Sequence, residues 1–151
     1  MSSHFSLVIM CDLREDTPSS CIEMIEWLSN STSDPATKPD FNCLEGDNEL
    51  MSGNFDFPFL ATLPEEEVVS SFQKHLRYRM PVAQGGADVY HYALQFSARD
   101  ILDDGFYDCY LLFLDWLASY IEDGFIGYYK EYFDDQPTLL YVKNRKLVER
   151  S

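Results

Sequence analysis

The chain has 151 residues, of which 46% are hydrophobic and 15% aromatic, and its formal net charge at pH 7 is −15. This length and composition are typical of one folded domain with an ordinary core, so we treat residues 1–151 as a single domain rather than as a disordered chain. The 26 acidic residues against 11 basic ones disfavour binding to nucleic-acid phosphates or to an anionic membrane surface.

The N-terminal part predicts a strand followed by a helix. Residues 5–13 are rich in Leu, Val and Ile, which is typical of a buried strand. Thr17 and Pro18 form a good N-cap and first helical position. The residues Cys21, Ile25 and Leu28 then recur at helical spacing. No basic segment followed by an apolar one precedes the strand, so a signal peptide is not predicted and the expected location is the cytoplasm.

The middle of the chain has a different composition. Residues 29–54 consist mainly of Ser, Thr, Asn, Asp, Pro and Gly without an apolar period, which predicts a long flexible insertion or, alternatively, a binding lid. A short helix is predicted to end near Gln73. Residues 75–82 then alternate between polar and apolar side chains, which predicts a half-solvated strand.

The second predicted helix, from Phe106 to Ile121, is apolar around most of its circumference. A helix of this kind needs cover on more than one side. The sheet supplies one cover, and the other must come from the remaining chain or from a second subunit. Of these we favour the second subunit, in a homodimer. The candidate oligomer interface consists of the apolar residues Tyr110, Leu111, Phe113, Leu114, Trp116 and Leu117.

Residues 4–30 and 90–121 look like two copies of one strand-and-helix unit, in which His4 matches His91 and Trp27 matches Trp116. Two such units that share one sheet predict an α+β fold, namely a ferredoxin-like sandwich with a mostly antiparallel sheet and both helices on one face. Two further strands, at 125–133 and 138–142, are predicted to form a hairpin, and the basic tail after residue 142 is predicted to fray.

Two histidines and three tyrosines form a candidate ligand pocket. If the two repeated strands lie side by side and parallel, both imidazoles reach the same level at one end of the sheet, where they could bind a ligand or exchange protons. The tyrosine-rich hairpin would line the same pocket. The candidate pocket residues are His4, His91, Tyr128, Tyr132 and Tyr141.

Acidic side chains are concentrated in the second half of the chain, where residues 100–135 contain ten acids and one base, Lys130. A surface of one charge accelerates association with an oppositely charged protein. We therefore predict a basic protein partner. The candidate partner surface consists of Asp103, Asp104, Asp108, Asp115, Glu122 and Asp123.

The four cysteines form no CxxC pair, which predicts small buried hydrophobic side chains rather than a zinc or redox site. No nucleophile, phosphate-binding or metalloprotease motif is present, so no catalytic residue and no cofactor is predicted. The leading hypothesis is a non-catalytic interaction protein, of which an inhibitor or immunity protein is one form. The alternatives are a small-molecule-binding protein or enzyme that uses the candidate pocket, and a regulatory subunit whose loop at 29–54 folds on binding.

Overall fold

The computed structural model describes residues 4–30, 60 and 68–151 of the chain. The described strands are β1 (His4–Asp12), β2 (Val68–Arg79), β3 (Asp88–Leu102), β4 (Gly124–Glu131), β5 (Thr138–Lys143) and β6 (Lys146–Arg150). They form one sheet in the order β2-β3-β1-β4-β5-β6, and every neighbouring pair is antiparallel.

Two helical segments are described beside this sheet. Helix α1 (Ser19–Leu28) follows β1, and helix α2 (residues 103–120) follows β3 directly. In α2 the backbone changes from an α-helical turn to a π-helical stretch at Phe106–Leu111, then back to α-helix at Leu112–Leu117, before a final 3-10 turn. The predicted cap of α1 is wrong in detail, because the N-cap residue is Pro18 and no described side chain accepts a hydrogen bond from the first turn. The hydroxyl of Thr17 instead donates to the carbonyl of Arg14 at 2.6 Å.

The two faces of the sheet have different environments. Alternate residues of β1 from Phe5 to Cys11, with Leu13 beyond them, are buried in the core, whereas Met10 on the opposite face is 63% exposed. Both helices pack on the first face, which we call the helix-covered face. The buried helical side chains include Met24, Ile25 and Leu28 of α1 and Phe106, Phe113, Leu114 and Leu117 of α2. The opposite face, which we call the open face, has no helix of the described chain over it.

The predicted ferredoxin-like sandwich of two repeated β-α units is wrong, although the broader α+β class is compatible with the structure. The strands that begin the two proposed units, β1 and β3, are neighbours but run antiparallel, with Ile9 opposite Phe96. A right-handed β-α-β crossover joins parallel strands. Here β3 is instead reached by a tight turn from β2, through a 3-10 turn at Val82–Gln84, so its direction is the reverse of that expected.

Two local predictions are also wrong. The tail does not fray, because β6 pairs with β5 through a turn at Asn144 and Arg145, whose φ values are 52° and 64°. A two-residue hairpin turn requires this left-handed conformation, which Arg rarely supplies. The helix predicted to end near Gln73 is replaced from Val68 onward by β2. The predicted flexible insertion at 29–54 lies outside the described residues apart from its first two positions.

Candidate functional site

The five candidate pocket residues lie in separate places. His4 and Tyr132 are neighbours at one end of the sheet, where the Tyr132 N–H donates to the His4 carbonyl at 2.9 Å. His91 lies beyond the other end of β1, a strand of nine residues and therefore roughly 30 Å long. Tyr128 and Tyr141 lie on β4 and β5. The structure thus does not bring the two imidazoles to one level, because that expectation required parallel strands.

His91 is the one buried polar side chain among the described residues, with 7% of its surface exposed. Its Nε2 lies 3.0 Å from Oε1 of Glu15, within hydrogen-bonding geometry. Its Nδ1 lies 3.2 Å from Oε1 of Glu122 but without the alignment of a hydrogen bond. The imidazole therefore lies between two carboxylates that come from different connections of the chain.

The two carboxylate contacts of His91 belong to a longer series of contacts between charged and polar side chains, which we call the polar chain. The Arg77 guanidinium contacts Asp12 and lies 3.4 Å from Glu122, while His75 Nε2 lies 3.4 Å from Asp12. Three carboxylates and one guanidinium leave two net negative charges when both imidazoles are neutral. The polar chain consists of His75, Asp12, Arg77, Glu122, His91 and Glu15.

The geometry of the polar chain encloses His91 with carboxylates and links elements that are distant in sequence. Each nitrogen of His91 faces a carboxylate oxygen, so neither presents a lone pair to a substrate or metal. Within the described residues no group of three or more His, Cys, Asp or Glu side chains could hold a metal ion. The charges therefore tie the ends of β1, β2 and β3 to the connection between α2 and β4.

An open depression of about 500 Å³ lies beside His91, but its charged groups already have partners. Arg14 pairs with Asp123 at 3.0 Å, and Arg145 pairs with Asp16 at 2.9 Å. The hydrogen bond from Arg145 is the largest cause that lowers the pKa of the Asp16 carboxyl below its ordinary value. Because the charged side chains that line the depression are paired with each other or with neighbours, few of them are free to bind a small ligand.

The predicted acidic surface is divided between two regions. Glu122 and Asp123 follow α2 and are paired with Arg77 and Arg14. Asp104 and Asp115 lie on α2 itself and are exposed. The side chains of Asp103 and Asp108 lie outside the described part. The structure thus separates the acids at the end of the sheet from those on the helix.

Acidic side chains are exposed on both helices of the helical layer. Exposed Glu23 and Glu26 lie on α1, and neither α1 nor α2 contains a Lys or Arg. The pKa of Asp115 is raised, first because the carboxyl is partly buried and second because Glu149 of β6 is nearby. We call this surface the acidic helical face, and it consists of Glu23, Glu26, Asp104, Asp115 and Glu149.

A tyrosine holds the outer end of this face in place. The hydroxyl of Tyr129 donates to Oε1 of Glu149 at 2.5 Å. Burial, followed by this hydrogen bond to the carboxylate, raises the pKa of Tyr129 to about 12, so its hydroxyl stays protonated as a donor. Glu149 is therefore fixed beside Asp115 although the two carboxylates repel each other.

The candidate oligomer interface on α2 is occupied within the chain. Tyr110, Phe113, Leu114, Trp116 and Leu117 are buried, and the half-buried Leu111 packs against the same core. The core of the same chain therefore covers these side chains. A homodimer remains a prediction, and these side chains are not exposed for it.

The cysteine prediction is confirmed for two residues. Cys11 and Cys21 are free and buried, and burial raises the pKa of each thiol to about 12. A thiol with so high a pKa is unreactive at neutral pH. Both residues therefore act as small core side chains.

The sequence did not identify the residues that partner His91 and Asp115. Glu15 meets His91, and Arg77 meets Asp12, across distant positions in the chain, and Glu149 approaches Asp115 only because β6 pairs beside β5. A usable signal did exist for the acidic helical face. Each predicted helix contains acids and no base.

Searches against protein-family models, curated proteins and solved structures each found no match. None of the described helices is long and apolar enough to cross a membrane.

Proposed function

We propose that this protein is a non-catalytic interaction module that engages a basic protein partner through the acidic helical face. The observation that carries the proposal is that both helices expose carboxylates and neither contains a basic residue. Burial of the carboxyl is the first cause that raises the pKa of Asp115, and the nearby charge of Glu149, which repels it, is the second. A cationic partner relieves this repulsion, and the field of the face speeds its encounter.

The distribution of arginines supports the same face. Arg14, Arg77, Arg79 and Arg145 each pair with an acid of the chain itself. These pairs offset part of the negative charge at the end of the sheet, where the polar chain keeps two net negative charges, and in the hairpin of β2 and β3. The exposed acids of α1 and α2, in contrast, have no base on the same helix.

A charge-reversal experiment tests the proposal. We would titrate a fluorescent oligolysine peptide with the wild-type protein and with a double variant, Glu26→Lys and Asp115→Lys, at low salt. We expect the double variant to lose at least about tenfold in affinity, because it removes the charges that face the peptide. Capture from a native lysate with the same two proteins then shows whether a cellular protein follows the same dependence.

The matched control carries the same change in net charge at another place. Asp134→Lys with Asp135→Lys alters two exposed acids of the turn between β4 and β5. We expect this variant to bind the peptide within about twofold of the wild type at equal salt. Equal losses in the two double variants would show that only net charge matters, which would contradict the assignment of the acidic helical face.

A further inference from the structure

The open face of the sheet exposes large apolar side chains on several strands. Met10 of β1 and Val69 of β2 are 63% and 64% exposed, and Phe125 of β4 is 56% exposed. The register places them on one face. Ser97 of β3 is opposite both Val69 and Val8, and Met10 lies two residues after Val8 on the same side of β1. Val8 is also opposite Tyr128, whose partner Leu139 lies two residues before Tyr141, the partner of Phe125. An exposed patch of this extent is uncommon on a monomeric protein and typical of an interface.

Strand β3 forms the floor of two shallow grooves on this face. The floor consists of the small or neutral residues Ala93, Gln95 and Ser97, and the exposed Met10 and Val69 stand on either side. The grooves have volumes of about 460 and 360 Å³ and open directly to the surface of the sheet. Their shape accepts protruding side chains of a facing surface.

The charge of the open face distinguishes it from the acidic helical face. Its central side chains are neutral, and the basic residues of this face, Lys143, Lys146 and Arg150, lie on the outer strands β5 and β6. The Arg150 guanidinium lies 5.2 Å from the centre of the Tyr141 ring. The polar chain lies at one end, where Asp12 is opposite Ala93, and Lys130 lies at the other end, opposite Ser6. The Asp12 carboxylate and the Lys130 ammonium thus lie near opposite ends of the sheet.

We propose that a second copy of the chain packs on the open face and forms a twofold-symmetric dimer. This inference goes beyond the proposed partner binding and uses the opposite side of the sheet. Two chains of net charge −15 repel each other, so self-association favours the face that carries few acids, with both acidic helical faces turned outward. A twofold axis across the strands places Lys130 of one copy over the Asp12 end of the other.

The area of the open face is sufficient for this contact. Six strands at a spacing of about 4.8 Å and a length of nine residues give a face of roughly 700 Å² per copy. Stable dimers bury about 800 Å² per partner. Side chains that project from the sheet add to the area of the flat face. Two sheets that pack face to face in this way lie about 10 Å apart.

Light scattering coupled to size-exclusion chromatography tests the dimer over a range of protein concentrations. We expect the wild type to shift from monomer to dimer as concentration rises, and Met10→Glu and Val69→Glu each to raise the dimer Kd by at least about tenfold, because a charge would be buried without a partner. Both positions are exposed in one chain, so both variants fold, as circular dichroism can verify. Val82→Glu is the control, because Val82 is 92% exposed at the turn between β2 and β3 and its variant should dimerise like the wild type.

Oxidation of the Met10 thioether by dilute peroxide gives an independent readout. Dimerisation predicts protection of Met10 that increases with protein concentration. Protection that does not depend on concentration would mean that the face is covered within one chain, and this would overturn the proposal. A wild type that stays monomeric at all concentrations, or a dimer that survives both glutamate substitutions, would overturn it as well.

Discussion

At the residue scale, Gly127 determines how closely β4 approaches β1. Its φ is +151°, and a Cβ at this position would collide with the carbonyl oxygen of Val8 and lie 2.9 Å from the carbonyl carbon. Because the obstacle is backbone, no rotamer change relieves it. We expect Gly127→Ala to lower the free energy of unfolding by about 3 kcal/mol, measured by urea denaturation.

Gly105 provides the control for this substitution. It lies in α2 with an ordinary φ, and the nearest atom to an added Cβ is Cγ2 of Ile101 at 3.7 Å. Gly105→Ala should raise the free energy of unfolding by up to about 1 kcal/mol, because alanine favours the helix. Similar losses in both variants would contradict the role given to the close approach of β4 to β1.

Asp115 allows a pH-dependent prediction at the same scale. Its pKa is higher in the folded protein than the ordinary value of 3.8, so the ionised carboxylate destabilises the fold above the raised pKa. This penalty disappears as the pH falls below the ordinary value. We expect Asp115→Asn to stabilise the protein at pH 7 by about 0.3 kcal/mol, since the group is largely exposed.

Urea denaturation of Asp115→Asn and the wild type at several pH values measures this effect. The difference between them should shrink as the pH falls through the acidic range. A stability gain that persists unchanged at low pH would argue that the asparagine acts through packing or helix propensity rather than charge.

At the element scale, α2 shows the packing that its apolar circumference requires. Trp116 is buried between Phe113 and Tyr120, with ring centroids 5.9 and 5.4 Å away, and within the described chain its indole N–H has no hydrogen-bond partner. We expect Trp116→Ala to cost about 3–5 kcal/mol in the free energy of unfolding, because it leaves a cavity in the core. Urea denaturation measures the loss.

The oligomeric state separates this interpretation of Trp116 from an interfacial one. Light scattering of the folded Trp116→Ala variant should give the same dimer Kd as the wild type. Tyr132→Ala, at a residue that is 71% exposed, should cost less than about 0.5 kcal/mol. A dimer weakened by Trp116→Ala without a stability loss would instead support the α2 interface.

Local pattern was sufficient to predict most individual elements but not their pairing. The apolar spacing of Cys21, Ile25 and Leu28 correctly indicated α1, and the alternation of residues 75–82 correctly indicated part of β2. The direction of β3 depends on the tight turn that joins it to β2. The proposed repeat predicted the opposite direction, because it treated β3 as a parallel copy of β1. The polar chain was not predictable, because strand order alone brings its distant residues together.

At the scale of the whole molecule, the sheet separates two surfaces of different chemistry. On the helix-covered side of the sheet, the helices expose the acidic helical face to solvent. On the other side, the open face is mainly neutral and apolar between its ends. A surface with like charges attracts an oppositely charged protein, and an apolar surface suits burial against a second copy. Partner binding and self-association should therefore occur on opposite sides of one chain.

This separation predicts that each activity can be lost without the other. We expect Met10→Glu to remain monomeric yet bind the fluorescent oligolysine peptide within about twofold of the wild-type affinity per chain. The double variant Glu26→Lys and Asp115→Lys should dimerise like the wild type and lose the peptide. Fluorescence anisotropy and light scattering on the same samples measure both properties. Loss of peptide binding in Met10→Glu would show that the two surfaces are coupled, and would contradict their assignment to opposite faces.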